Sequence, residues 1–236
     1  MSKVHRRRRV TVLVILGLLS ATALFFQSQI HDDAPAPDVV VVSESSDQPL
    51  ASSELENLPV RDRAPKDGYK RSEFGNGWAK WGKCDTRQRI LARDLVDVKL
   101  DDDDDCTVLS GILHDPYTGE DIDFLRGKDT SSAVQIDHVV ALSNAWQTGA
   151  QDLDRDARIQ LANDDLELLA VEGRANQQKG DGDAATWLPE NKAFRCTYVA
   201  RQIAIKIKYE LWVTATEHAA ISNVLKSCPD QRLPAP

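Results

Sequence analysis

Four consecutive arginines, Arg6 to Arg9, run straight into Val10–Phe26 (VTVLVILGLLSATALFF), an apolar stretch with no charged residue. A basic segment followed by ~15–17 apolar residues is the pattern of a secretory signal, or of a short membrane anchor with its N-terminus inside the cell. A buried core strand or helix has no need of such a flank. Ser20-Ala21-Thr22-Ala23 offers the small residues that cleavage requires, whereas Leu24-Phe25-Phe26 extends the run towards the ~20 residues of a comfortable span. Residues 1–30 are therefore a signal peptide or an anchor, and a membrane is a partner only if the segment stays uncleaved. Under either reading the remainder is extracytoplasmic, secreted or held at the membrane surface.

Cysteine usage agrees with that compartment. Cys84, Cys106, Cys196 and Cys228 include no CxxC and no close Cys/His spacing, which opposes a structural zinc site. An even number in an exported chain reads as two disulfides. Of the three possible connectivities, the pairs nearest in sequence are expected, Cys84–Cys106 and Cys196–Cys228. Each constrains the unfolded chain by about 3–4 kcal/mol in the loop-entropy account.

Net charge is −8, but residues 1–31 carry five bases and no acid, so residues 32–236 hold 24 bases against 37 acids. Phosphate affinity comes from clustered Lys and Arg, and so acidic a chain argues against a dedicated, tight nucleic-acid binder. Residues 31–66, rich in Pro, Ser, Ala and acid, read as a solvated linker, which leaves 67–236 as the folded domain. Two basic groups stand out within it: Arg87, Arg89 and Arg93 on one segment, and Arg195, Arg201, Lys206 and Lys208 on another. If these shared a face, they would supply a local cleft.

Apolar spacing predicts a helix over Thr86–Leu95 and a strand over Thr107–Leu113 closed by the turn Asp115-Pro116-Tyr117-Thr118-Gly119. The five aspartates Asp101–Asp105 lack the interleaved glycine and closing Glu of a calcium loop, so they read as a solvated loop. Ala133–Leu142 and Leu166–Val171 are strands, with helical segments at Asn144–Ala150 and Asp154–Ala162 between them. Gly173–Gly180 is a short helix with a glycine stop, Lys192–Trp212 a long helix, and Thr214-Ala215-Thr216-Glu217 a capping box for a last helix to about Cys228. The fold class is α+β, a small hairpin inserted among helices.

Chemistry concentrates between Ile136 and Asp183. Asp137 and His138 are neighbours on a strand, so they point to opposite faces unless the strand end bends. Asn176 and Lys179 fall on one face of the short helix. A carboxylate and an amide oxygen are hard ligands for Mg²⁺ or Mn²⁺. A neutral imidazole suits a general base and a lysine suits a phosphate oxygen. Together they are the parts of metal-assisted phosphodiester hydrolysis. Singly, each is also explained without function: a structural histidine, a helix-terminating asparagine, a solvated lysine. His114 and His218 read as structural or exposed.

The wording of the sequence adds to this. QIDHVVALSNAW (Gln135–Trp146), ANDDLELLAVEGRANQQKGD (Ala162–Asp181), TWLP (Thr186–Pro189) and FRCTYVARQIAIKIKYELWVT (Phe194–Thr214) resemble a secreted HNH endonuclease family common in actinobacteria. That family shares the C-terminal nuclease domain of GmrSD-type restriction endonucleases. YKRSEFG, CDTR, ARDL, LSGILHDPYTG and FLRG upstream are similar as well, so the likeness spans about Tyr69 to Thr216.

The resemblance implies a ββα-metal hairpin-helix core embedded among helices. It also implies a nucleic-acid substrate, with DNA expected, and a single Mg²⁺ or Mn²⁺. By position Asp137 is similar to the metal-binding acid, His138 to the general base and Asn176 to the last motif residue, a metal ligand, with Lys179 in its N-x-x-K pattern. The middle position, asparagine in LNLLAV, is Glu167 here; it either orients the His138 ring or points elsewhere. Arg87 is a candidate phosphate contact, or equally a salt-bridged side chain. The competing expectation is a catalytically inactive extracytoplasmic binding module that keeps this fold. A different secreted metallohydrolase, such as a phosphatase, would need more metal ligands near His138 than the chain offers.

Overall fold

The computed structural model describes residues 48–235. The arginine-led apolar run and the first part of the acidic segment lie outside the described residues. Among the described residues no helix is long and apolar enough to cross a membrane. In chain order the elements are α1 (Ala51–Asn57), β1 (Lys80–Trp81), β2 (Cys84–Asp85), α2 (Thr86–Asp94), β3 (Leu95–Leu100), β4 (Val108–His114), β5 (Asp121–Leu125), β6 (Val134–His138), α3 (Leu142–Ala145), α4 (Arg155–Leu161), β7 (Leu168–Glu172), α5 (Gly173–Lys179), α6 (Arg195–Lys208) and α7 (Ala215–Leu225). The mixture of helices and small antiparallel sheets is α+β.

Side chains that accept from free helix amides fix where helices begin. Asp85 accepts from Gln88 N, Asp154 from Ala157 N and Glu172 from Ala175 N, while Thr214 and Glu217 form a complete capping box. Such caps contribute about 1 kcal/mol each. The long helix is shorter than its pattern: a single 3-10 turn (Lys192–Phe194) leads into α6, which ends before Glu210. There the chain takes φ +54°, and Leu211 N returns to the Lys206 carbonyl.

β6 and β7 pair antiparallel, with Asp137 opposite Leu169 and His138 opposite Leu168. This hairpin separates two apolar clusters. Val134, Ile136, Leu168 and Ala170 face α2 and the sheet β3-β4-β5, whereas Leu169 and Val171 face the cluster built on α1, α6 and α7. A strand covered on both sides reads as a near-continuous apolar run, as β7 (LLAVE) does, whereas β6 (VQIDH) carries polar residues among its apolar ones. β6 stops at His138 rather than at Leu142 because Glu167 takes the next two amides. Its carbonyl accepts from Val139 N and its side chain from Val140 N, and the chain turns into α3.

Both expected disulfides are present, Cys84–Cys106 and Cys196–Cys228. The linker reading is corrected over its second half. Ala51 and Leu55 of α1 are buried, and Leu58 follows them into the core beside α7. Ala51 N donates to the Gln231 carbonyl, Arg61 N to Val213 and Ala64 N to Gln147, so residues 48–66 are stitched to the C-terminal half. A stripe at positions 51, 55 and 58 has helical spacing, but it is short and sits among acids and prolines. Leu55→Ala is expected to cost about 2–5 kcal/mol, as for a core leucine, read as a lower Tm in thermal melts. A solvated linker would give less than about 0.5 kcal/mol.

Candidate active site

The strand parity that divides the core also separates Asp137 from His138. Asp137 turns towards α5 and the turn after β4. Its Oδ1 accepts from Lys179 Nζ at 3.0 Å and its Oδ2 from the Tyr117 hydroxyl at 2.5 Å. Lys179 is fully buried, and its ammonium also donates to the His138 carbonyl at 2.7 Å. One cation therefore holds both the carboxylate and the backbone of the adjacent histidine. Burying an ammonium and a carboxylate is tolerated because they pair and each has a further hydrogen-bond partner, the His138 carbonyl and the Tyr117 hydroxyl. The expectation that Lys179 meets a phosphate is corrected, since its donors are turned inward.

His138 lies on the other face, stacked on Trp78 with ring centroids 5.6 Å apart. Its Nε2 is 3.0 Å from the Ala162 carbonyl. A carbonyl oxygen only accepts, so Nε2 carries the proton and Nδ1 keeps its lone pair. Burial pulls the pKa down from 6.5 to about 3, with Arg71 adding to the fall, so the ring is neutral at neutral pH. A free lone pair at a defined position is one requirement of a general base, and burial by itself makes this one only weakly basic.

At the strand end the two faces meet again. Asp137, His138, Gln135, Asn176 and Asp181 line one pocket of about 320 Å³. Asn176 arrives there on α5, whose start is pressed so closely on the turn before β6 that a Cβ at Gly173 would lie 2.2 Å from the Ser132 carbonyl. Gly180, at φ +56°, ends the helix one residue after Lys179. The Asn176 amide nitrogen donates to Gln135 Oε1 at 2.9 Å, leaving its amide oxygen as the atom for a cation. A carboxylate has about four lone-pair sites; two on Asp137 are engaged and two are left. Asp137 and Asn176 thus fit a Mg²⁺ or Mn²⁺ that keeps most of its water. Among the described residues no three His, Cys, Asp or Glu side chains gather to form a fuller cage.

Glu167 does not orient the His138 ring. Its Oε2 accepts from Val140 N at 3.1 Å, and its Oε1 has no partner among the described residues. Burial raises its pKa well above the usual carboxylate range. Arg87 is likewise not in the pocket. Its guanidinium is half-buried and donates to the Ser131 and Val134 carbonyls, bracing the start of β6. Nor do the other bases form a cleft face: Arg89 pairs with Asp165, Arg93 with Asp94, Lys206 with Glu217 and Lys208 with Asp164, while Arg195 and Arg201 donate to backbone carbonyls.

Three residues that the sequence did not single out complete the site. Tyr117 hydrogen-bonds Asp137, Trp78 stacks on His138, and exposed Arg71 lines the pocket on both sides of the histidine. Arg71 makes no ion pair among the described residues. Tyr117 was visible only as a turn residue. Arg71 sits more than sixty residues upstream of His138, with no spacing signal to link them.

A buried carboxyl that stays protonated in the fold, but ionises in the unfolded chain above about pH 4.5, costs stability as pH rises past that value. Glu167→Gln keeps the acceptor for Val140 and removes the ionisation. It is expected to raise Tm at pH 7–8, by about 2–4 °C for each kcal/mol recovered, with the gain vanishing below about pH 4. Melts across pH 3.5–8 check this; a Tm loss that grows as pH rises identifies an ionised Glu167.

Residues 85–224 match the family model of the GmrSD restriction endonucleases, C-terminal domain. A protein of Arthroderma benhamiae named "Uncharacterized secreted protein" is 36% identical over 215 residues, which cover 90% of this chain and 98% of that protein. No solved structure matches. Asp137, His138, Glu167, Asn176 and Lys179 all fall within the matched span, and the chain belongs to the GmrSD restriction endonuclease C-terminal domain family.

Proposed function

We propose that the chain is an exported, divalent-metal-dependent HNH nuclease that hydrolyses phosphodiester bonds of nucleic acid, with β6, β7 and α5 as its ββα-metal unit. One observation carries the reading. The neutral ring of His138 has its Nε2–H committed to Ala162, and it borders the same pocket as the oxygen donors of Asp137 and Asn176. The GmrSD family match supports the reaction class. The secreted name of the Arthroderma benhamiae relative, the two disulfides and the arginine-led apolar run support export. Membrane anchorage has no support among the described residues.

In this mechanism His138 Nδ1 takes a proton from water as its oxygen attacks phosphorus. The negative charge of the bound phosphodiester favours the imidazolium that results, offsetting the burial that disfavours it. Asp137 and Asn176 would hold Mg²⁺ or Mn²⁺, whose charge stabilises the phosphate and the departing 3′-oxygen. Arg71 takes the phosphate-binding role expected of Arg87 and Lys179. Lys179 instead fixes the Asp137 carboxylate, and Glu167 fixes the corner after His138 through its bond to Val140. The P–O3′ bond breaks and the departing oxygen takes a proton from solvent water, so the product ends are 5′-phosphate and 3′-hydroxyl.

A second reading, a non-catalytic binding module on the same fold, has one observation in its favour: both carboxylate oxygens of Asp137 already accept hydrogen bonds. The purified protein, incubated with plasmid DNA and with RNA in Mg²⁺ or Mn²⁺, separates the two. Cleavage is expected, and EDTA should abolish it. His138→Ala should lower the rate by about 10²–10⁴-fold, the usual share of a general base. Equal cleavage by His138→Ala and the unmodified chain removes His138 from the chemistry. Arg71→Ala should lower kcat/KM by about tenfold or more, the loss expected of one charge-assisted hydrogen bond, while Arg87→Ala should act mainly on Tm.

A further inference from the structure

A second cavity, of about 760 Å³, is lined mostly by apolar surface and includes Ala79, Trp81, Ile159 and Asn163. It adjoins the histidine at two points of the chain. Trp78 and Ala162 line the space against His138, and the next residues of each segment, Ala79 and Asn163, line the second cavity. Ala79 N donates to Asn163 Oδ1 at 2.9 Å, which fastens the two segments together.

Trp81 is 63% exposed, unusual for the largest apolar side chain. The Arg89 guanidinium sits 5.9 Å from its ring centroid. Trp81 is also held in place: it pairs with Cys84 across β1 and β2, and Cys84 is tied to Cys106. A rigid aromatic surface loses little conformational freedom when a ligand stacks on it.

The charges here select against phosphate. Arg89 is committed to Asp165 and Lys208 to Asp164, and Asp156 adds a further carboxylate to the lining. A phosphate meets no free cation in this lining, whereas a flat heterocycle meets an aromatic face and carboxylate acceptors for its ring or exocyclic N–H groups. A base inside a duplex has both faces stacked and its polar edge paired, so only an unpaired base can enter.

We infer that the Trp81 cavity receives an unpaired nucleobase flanking the phosphate at His138, so that the substrate is single-stranded or locally unpaired nucleic acid. This rests on the nuclease reading and narrows it. Phosphates stay on the Arg71 side and bases lie towards Trp81.

The test is binding of a dye-labelled oligothymidylate and of a blunt DNA duplex to the purified protein in EDTA, followed by fluorescence anisotropy. Trp81→Ala and Trp81→Leu should weaken single-strand binding by about 5- to 100-fold, the range for losing one stacked base. Trp81→Phe, which keeps a π face, should stay within about threefold, and duplex binding should change by less than about twofold. Unchanged single-strand affinity in Trp81→Ala and Trp81→Leu overturns the inference, as does an equal loss on the duplex or no binding of either probe. Cleavage is scored separately in Mg²⁺ and Mn²⁺. Cleavage with unchanged affinity overturns the Trp81 site alone, while Trp81-dependent binding without cleavage supports that site and overturns the nuclease reading.

Discussion

A single buried ammonium holds the site together. Lys179 Nζ bonds the Asp137 carboxylate and the His138 carbonyl, so the positions of the acid and the base depend on one side chain. Remove that cation and Asp137 is left as an uncompensated charge beneath the hairpin, a loss of about 3–5 kcal/mol for buried pairs in general. The pair also explains why α5 must dock closely, with glycine at its first position and a left-handed glycine directly after Lys179. Helix, strand and the Asp137–His138 pair are tied into one unit by these contacts.

The central unit was legible because its local signals agree. Two apolar runs, a glycine-flanked helix and a capping box each point to the observed element. Asp137, His138 and Asn176 were found by residue type and do line one pocket. What stayed hidden depended on tertiary packing. Helix α1 was masked by its acidic surroundings. Strand β3 was masked by irregularity, with Asp97 at φ +51° and shifts in its register against β4, and β5 by shortness. The roles of Lys179, Arg87 and Glu167 could not be read from spacing. Each is decided by which oxygen or amide lies within reach once the chain has folded.

Charge shows the same dependence on packing. The basic residues that looked like a cleft face are spent on neighbouring acids and carbonyls, and they hold α2 and α6 against the segment from Asp164 to Leu168. An acidic chain whose two clustered groups of bases are committed internally has little field left for grasping a phosphate backbone at long range. Under the proposed nuclease reading, recognition falls to short-range forces, namely the exposed guanidinium of Arg71 beside His138 and the aromatic surface at Trp81. Such contacts are weakened less by salt than a broad basic face would be.

The bond between Cys84 and Cys106 does more than stabilise a hairpin. It fastens β2, the partner of the two-residue strand that carries Trp81, and such bonds form readily only in an oxidising compartment. A newly made chain, still among the nucleic acids of its own cytoplasm, has these thiols reduced and lacks the covalent clamp beneath its aromatic platform. Under the export proposed above, maturation by oxidation places this covalent clamp on the far side of the membrane from the genome that encodes it.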